Sequence, residues 1–335
     1  MRRFSILIAA MMAMTSAAAR APDGTLALIE TPNNGIPAIV KPGQRFEAVL
    51  AGRAATMTLT GPQRISIEAT WTALPGGKMR ATCSVAASAP VGVYALEATA
   101  GDQSDRNLRS VYVRGTFPES YVIGHLSDTH IGSNRHTRTA EAIGMDVVAA
   151  VNGSKADFVL VTGDLTENGE TDQFRSFLRV LDTCTLPTFV CAGNHDRKGL
   201  NYERFFGPDT YMFRYGGDGY ISFDTKDRST TPEWGGQDAD LQVFRRAIEH
   251  TRWAIGFSHR YEMGQGMRSQ LILFVDNPLD HLMFGHWHSA AENVVPWGTT
   301  RYTSTPAAVN GSLRYFDVSA EGVKPRRPER VATTR

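Results

Sequence analysis

Apolar and polar positions fall in blocks along the second half of the chain. Residues 121–127, 158–162, 188–192, 253–257 and 281–284 are short runs, rich in β-branched or aromatic residues and bounded by Gly or polar residues. This is the pattern of buried strands. Between several of them the apolar spacing becomes helical. Ala140, Ile143, Val147 and Val151 share one face, as do Phe174, Phe177, Leu178 and Leu181, and again Leu241, Phe244 and Ile248. Strands alternating with helices predict an α/β layer architecture.

Residues 22–116 have another rhythm. Apolar stretches at 25–29, 46–50, 55–59, 65–69 and 93–98 lack a helical period, and Gly and Pro punctuate them at turn spacing. This predicts a small antiparallel β-sandwich of immunoglobulin-like size. Residues 111–113 are its expected last strand and 115–120 its linker. No internal repeat is present.

Each run of the α/β part ends in a polar cluster. The clusters are Asp128-Thr129-His130, Gly163-Asp164, Gly193-Asn194-His195-Asp196, Ser258-His259 and Gly285-His286-Trp287-His288. Open α/β sheets bind ligands beyond the carboxyl ends of their strands, so all five belong on one edge. Asp128, His130, Asp164, Asn194, His259, His286 and His288 are seven candidate ligands, more than one four-coordinate zinc needs. They suit two divalent cations roughly 3.5–4 Å apart if one carboxylate bridges, and Asp164 is the choice for the bridge. The donors suit zinc, iron, manganese or cobalt without selecting among them.

In this order, Asp-x-His, Gly-Asp, Gly-Asn-His-Asp, a lone His and Gly-His-x-His resemble the calcineurin-like metallophosphoesterase family over about residues 119–318. The resemblance implies a four-layer α/β/β/α sandwich and a dinuclear centre. It implies that Asp128, His130, Asp164 and His288 hold a first metal and that Asp164, Asn194, His259 and His286 hold a second. His195 then faces the scissile phosphate without being a ligand, and Glu167 stands at the position that pairs with it. The implied activity is hydrolysis of a small-molecule phosphate ester. A metal-bridging hydroxide attacks and His195 protonates the leaving oxygen. A phosphodiesterase or nucleotidase is the alternative to a phosphomonoesterase, and a metal-binding scaffold of weak chemistry is the non-enzyme alternative. Asn168 stands where the family's protein phosphatases carry a phosphate-gripping arginine, which argues against that type. Arg260 is a candidate replacement for that charge.

Other polar residues take quieter readings. Asp196 is expected to brace its loop, His125, His281 and His250 to be structural, and Asn134 and His136 to lie in a solvated loop. Trp287 is expected to be a wall of the site. Residues 201–219 and 261–268 are expected to be pocket loops.

Lys plus Arg number 35 and Asp plus Glu 34, so there is no strong nucleic-acid field. Arg2 and Arg3, an apolar stretch over residues 6–14 too short to span a bilayer, and Ala17-Ala18-Ala19 read as a signal peptide over residues 1–19. No other segment is apolar enough to span a membrane. The mature protein is expected to be exported, periplasmic or extracellular. It would comprise a sandwich at 22–116, a catalytic domain at 117–318 and a disordered basic tail at 319–335. Cys83, Cys184 and Cys191 are too few for a disulfide framework and are expected to be buried free thiols.

Overall fold

A computed structural model describes residues 21, 23–225, 238–263, 268–273, 276–296 and 298–331. The signal-peptide reading at residues 1–19 lies outside them. Two sheets make up the N-terminal region. One has the order β1(Ile29–Thr31), β3(Arg45–Leu50), β7(Met79–Ser84), β6(Glu68–Ala73). The other has the order β2(Ala38–Val40), β9(Gln103–Val113), β8(Gly92–Ala100), β4(Thr56–Thr60), β5(Arg64–Ser66). In β3, Phe46, Ala48 and Leu50 alternate inward and meet Leu59, Leu96 and Val111 of the opposite sheet. The pairing is antiparallel as expected, except that β2 runs parallel to β9.

The α/β part carries two further sheets. In the first, β10(Tyr121–Leu126), β11(Phe158–Thr162) and β12(Thr188–Cys191) run parallel, and β19(Ser312–Ser319) joins β10 antiparallel. In the second, β14(Asp218–Ser222), β15(Ala254–Phe257), β16(His281–Phe284) and β18(Arg301–Ser304) run parallel between the antiparallel edges β13(Tyr211–Tyr215) and β17(Ala291–Val294). Strand alternation builds the layers. Phe158 and Leu160 of β11 meet Ile255, Phe257 and Met283 between the sheets. Val159 and Val161 point the other way, onto Ile143 and Val147 of α1(Ala140–Asn152) and Phe174 and Phe177 of α2(Thr171–Leu181). Leu282 and Phe284 likewise turn outward to Leu241 of α4(Asp238–Ala247). The result is an α/β/β/α sandwich whose central strands are buried on both faces, so they read as unbroken apolar runs.

The structure differs from the sequence reading in several places. The expected disordered tail is partly ordered. β20(Gly322–Pro325) and β21(Glu329–Arg330) pair with β19, and Arg326 forms an ion pair with Asp317 at 2.7 Å. Its basic residues had masked that pairing. The expected pocket loop at 201–219 is instead α3(Asn201–Phe206), then β13 and the start of β14. Of the other expected pocket loop, residues 264–267 lie outside the described residues. The first N-terminal strand sits at 29–31 rather than 25–29, and the run at 65–69 breaks into β5 and β6.

β12 is an outer strand of its sheet, and the N-terminal region covers it. Val190 N donates to Gly35 O at 2.9 Å, so the exposed ladder is satisfied rather than left open. The approach is close: a Cβ on Gly35 would lie 2.5 Å from Phe206 Cδ1 and 3.0 Å from Val190 Cγ2. Gly35→Ala should therefore overpack this junction and destabilise the protein by about 1–3 kcal/mol. Urea unfolding checks it, and an unchanged midpoint would count against the tight junction.

Candidate metal centre

Three of the five predicted clusters, those after β10, β11 and β16, leave their strands in a strained backbone. Asp128, His130, Asp164, His286 and His288 have φ of 56°, 44°, 47°, 64° and 55°, and Arg109 is the one other non-glycine residue with positive φ among the described residues. Left-handed conformations cost a residue with a Cβ and persist where the surroundings over-determine them. Here the determinants are visible. Asp128 N donates to Gly163 O at 3.0 Å, His130 N to Asp164 O at 2.9 Å, and His286 N to the Asp128 carboxylate at 3.0 Å.

These turns bring the predicted donors together. Asp128, His130 and His288 form one group, Asp164, His259 and His286 another, and His130, Asp164 and His195 a third that overlaps both; the donor atoms of each lie within 4.8 Å of one another. His288 Nε2 is 3.2 Å from Asp128 Oδ1 and 3.3 Å from His130 Nε2. His259 Nε2 is 3.1 Å from Asp164 Oδ2 and 3.2 Å from His286 Nδ1. Asp164 Oδ2 also lies 3.8 Å from His130 Nε2, which puts this carboxylate between the groups. Asn194 sits at their edge, where its Oδ1 accepts from Arg260 Nε at 3.1 Å and keeps a second lone pair.

The electrostatics fit a cation. Asp128 Oδ1 is buried without a well-aligned hydrogen bond, its near neighbour being His288 Nε2 at 3.2 Å, and such an acceptor is costly to leave poorly satisfied. Burial alone would raise the Asp164 carboxyl, but hydrogen bonds from His259 and the His195 N–H hold it well below the usual range. Burial works against the His259 cation, yet the Asp164 carboxylate raises it to about 9. Burial lowers His130 and His286, which favours the neutral, ligating form of imidazole. Ionised carboxylates facing imidazoles across 3–4 Å suit a divalent cation, with Asp128, His130, Asp164, His259, His286 and His288 able to hold it.

His195 stands beside the groups. Its Nδ1 is 2.6 Å from the Glu167 backbone oxygen, so Nδ1 carries the proton and Nε2 is the nitrogen left for other work. This corrects the expected role of Glu167. Its carboxylate turns to His130 Nδ1, 2.9 Å away, and accepts from Arg135 Nη2 at 3.0 Å. The side chain is therefore engaged elsewhere, and the main chain orients His195. Asp196 braces the loop as expected: its carboxylate accepts from the backbone N–H groups of Leu165, Thr166 and Gly193 and from Thr166 Oγ1, at 2.8–3.1 Å. The Trp287 ring packs on Phe284, Tyr261 and Tyr302. His136 bonds Asn310 at 2.9 Å. Cys83, Cys184 and Cys191 are buried and free.

Comparison with known proteins agrees with this geometry. The family model for calcineurin-like phosphoesterases matches residues 121–290. A glycerophosphodiester phosphodiesterase of Enterobacter lignolyticus is 32% identical over 113 residues, 30% of this chain and 41% of that protein. The chain thus matches under half of that relative's length. A probable cyclic nucleotide phosphodiesterase of Fibrobacter succinogenes is 26% identical over 220 residues, 59% of this chain and 85% of that protein. Among solved structures, a purple acid phosphatase from yellow lupin (Lupinus luteus) superposes with a TM-score of 0.58 at 10% identity, covering 88% of this chain and 72% of that one. That likeness concerns the fold.

Two histidines outside the centre give a pH prediction. Burial pushes His125 and His281 down to about 3, and both make hydrogen bonds to threonine hydroxyls. An unfolded imidazole takes up its proton near pH 6.5, whereas these stay neutral in the folded state until about 3. Their contribution is complete above about pH 6.5 and is lost as pH falls toward 3. His281→Gln should flatten the dependence of the urea midpoint on pH between 7 and 4. A slope equal to the wild type would remove His281 from the acid sensitivity.

Proposed function

Since the chain belongs to the calcineurin-like phosphoesterase family, we propose that this metal-dependent phosphoric ester hydrolase acts on small-molecule phosphodiesters. The observation that carries the reading is the pair of donor groups meeting at Asp164 with His195 beside them. The diester preference is supported by the relatives, which are named as phosphodiesterases of glycerophosphodiesters and of cyclic nucleotides. A scaffold without chemistry is disfavoured by the complete donor set and the oriented non-ligand histidine.

We assign Asp128, His130, Asp164 and His288 to one cation and Asp164, Asn194, His259 and His286 to a second, drawn from manganese, iron, zinc and cobalt. When bound, such a pair would neutralise phosphate charge and make a water molecule more acidic. The chain's own residues do the rest. The Glu167 carbonyl stabilises the His195 imidazolium through its Nδ1–H, so Nε2–H can be delivered to the leaving oxygen. Arg260, held by Asn194, places a positive charge at the rim.

His195→Ala should keep its metal content and lose about 10²–10⁴-fold in kcat. The loss should be smallest for esters of acidic phenols and largest for alkyl esters. Asp164→Asn should instead release both ions. Equal losses on both kinds of ester would remove the general-acid role, and two tightly held ions in Asp164→Asn would remove the bridge.

We also propose export, and a domain boundary near residue 116 between an immunoglobulin-like sandwich and the catalytic domain. The sequence of residues 1–19 supports the first, and the separate hydrophobic core of the N-terminal region supports the second. Mass spectrometry of the secreted protein should find an N-terminus at about residues 20–22, and limited proteolysis should cut first within 115–119. An intact Met1 form confined to the cytoplasm, or early cuts spread through 22–116, would overturn these assignments.

A further inference from the structure

Glu167 serves two histidines with two different groups. Its main-chain oxygen takes the His195 Nδ1 proton, while its carboxylate approaches His130 Nδ1 to 2.9 Å. His130 is 1% exposed, and its two ring nitrogens face different partners. Nε2 looks toward His288 at 3.3 Å, Asp164 at 3.8 Å and Asp128 at 3.9 Å, while Nδ1 looks only toward Glu167. The carboxylate is itself held. Arg135 donates to its other oxygen at 3.0 Å, and Glu167 N donates to Ile131 O at 2.9 Å, which ties the residue to the strap that follows His130.

Resting on the metal reading above, we propose that the Glu167 side chain is a positioning residue for the first cation. It fixes the Nδ1–H tautomer of His130 and presents the Nε2 lone pair to the cation. An imidazole ligand needs a defined partner on its other nitrogen, because an unheld ring can rotate or protonate the ligating nitrogen. His130 Nδ1 and the near Glu167 oxygen are both buried atoms without a hydrogen bond, 2.9 Å apart, so a small turn of the ring makes the carboxylate that partner. Arg135 keeps it from swinging out to solvent, since Glu167 is 19% exposed and Arg135 lies on the solvent side at 48%. The division of labour within one residue has a consequence: removing the carboxylate disturbs His130 and leaves the carbonyl under His195 in place. The Glu167 side chain therefore belongs to metal affinity, and its backbone to leaving-group protonation.

The test is calorimetric titration of the full, metal-stripped chain with Mn²⁺, with His288→Ala identifying the first-site step. Glu167→Ala should weaken that step by about 10–100-fold and leave the other unchanged. Glu167→Gln, whose amide oxygen offers Nδ1–H the same acceptor, should recover most of the affinity. At saturating Mn²⁺, Glu167→Ala should keep the wild-type dependence on leaving group, unlike His195→Ala. If Glu167→Ala fails to fold, Glu167→Met fills the space without an acceptor and serves instead. Wild-type affinity at both steps in the Ala or Met variant overturns the assignment, as does a leaving-group dependence matching that of His195→Ala. A wild-type chain that takes up no Mn²⁺ overturns the metal reading and this proposal together, so the two failures are distinguishable.

Discussion

The ionised carboxylate of Asp164 is where four strand-end loops become one site. One oxygen accepts the His195 N–H at 2.9 Å, and the other faces His259 Nε2 at 3.1 Å. The same residue's carbonyl accepts the His130 N–H. Loops after β10, β11, β12 and β15 therefore all depend on one residue that sits 1% exposed. Such an anion is costly to bury, and it is tolerated because hydrogen bonds from His259 and the His195 N–H hold it. The backbones crowd to achieve this: a Cβ on Gly193 would fall 2.1 Å from Asp164 N. Only glycine lets the β12 loop reach the β11 loop.

That crowding explains the left-handed turns. Each costs about 1–3 kcal/mol if unsupported. Five of them gathered at one sheet edge need rigid support on all sides. The parallel strands supply it, because β10, β11, β15 and β16 are fixed by ladders and buried on both faces before their last residues turn. The turn after β10 gains a further prop from the chain that follows β18. Ala308 N donates to Ser127 O and Val309 N to Asp128 O. The strain is a means of aiming side chains: a polar residue with positive φ projects from its strand end at an angle that an extended residue cannot reach.

What the sequence made legible follows from the same physics. Strands β10, β11, β12, β15 and β16 were readable because double burial leaves mostly apolar residues in them, and the donor clusters because carboxylates and imidazoles break those runs at the strand ends while largely staying buried. Helices α1, α2 and α4 were readable from their spacing. β13 and β14 were not, since Arg214, Asp218 and Tyr220 interrupt the apolar signal; Asp218 is buried only because Tyr121 and Arg252 bond it from elsewhere. β20 and β21 hid behind charged and proline residues for a related reason: an edge strand keeps its polar side chains in water. The role of Glu167 was half legible. Its position in sequence pointed to His195, but a main-chain oxygen carries no sequence signature, and the carboxylate went to a different histidine.

The N-terminal region bears on the site indirectly. Its polar contacts to the catalytic part include Arg114 to Asp157 O at 3.4 Å, Tyr112 to Leu186 O at 3.2 Å and Asn34 to Asp182 at 2.6 Å. Asp157 immediately precedes β11 and Leu186 lies two residues before β12, at the ends of the strands opposite the donor clusters. These contacts, and the one along the edge of β12 through Gly35, lie behind the sheet rather than at the mouth of the centre. The mouth is left to short segments that carry Arg135, His136, Arg260, Tyr261 and Trp287. These segments are polar or aromatic without periodicity, since they pack on one side and meet solvent on the other. The strand ends thus fix where the donors gather, whereas these rim segments answer mainly to local packing.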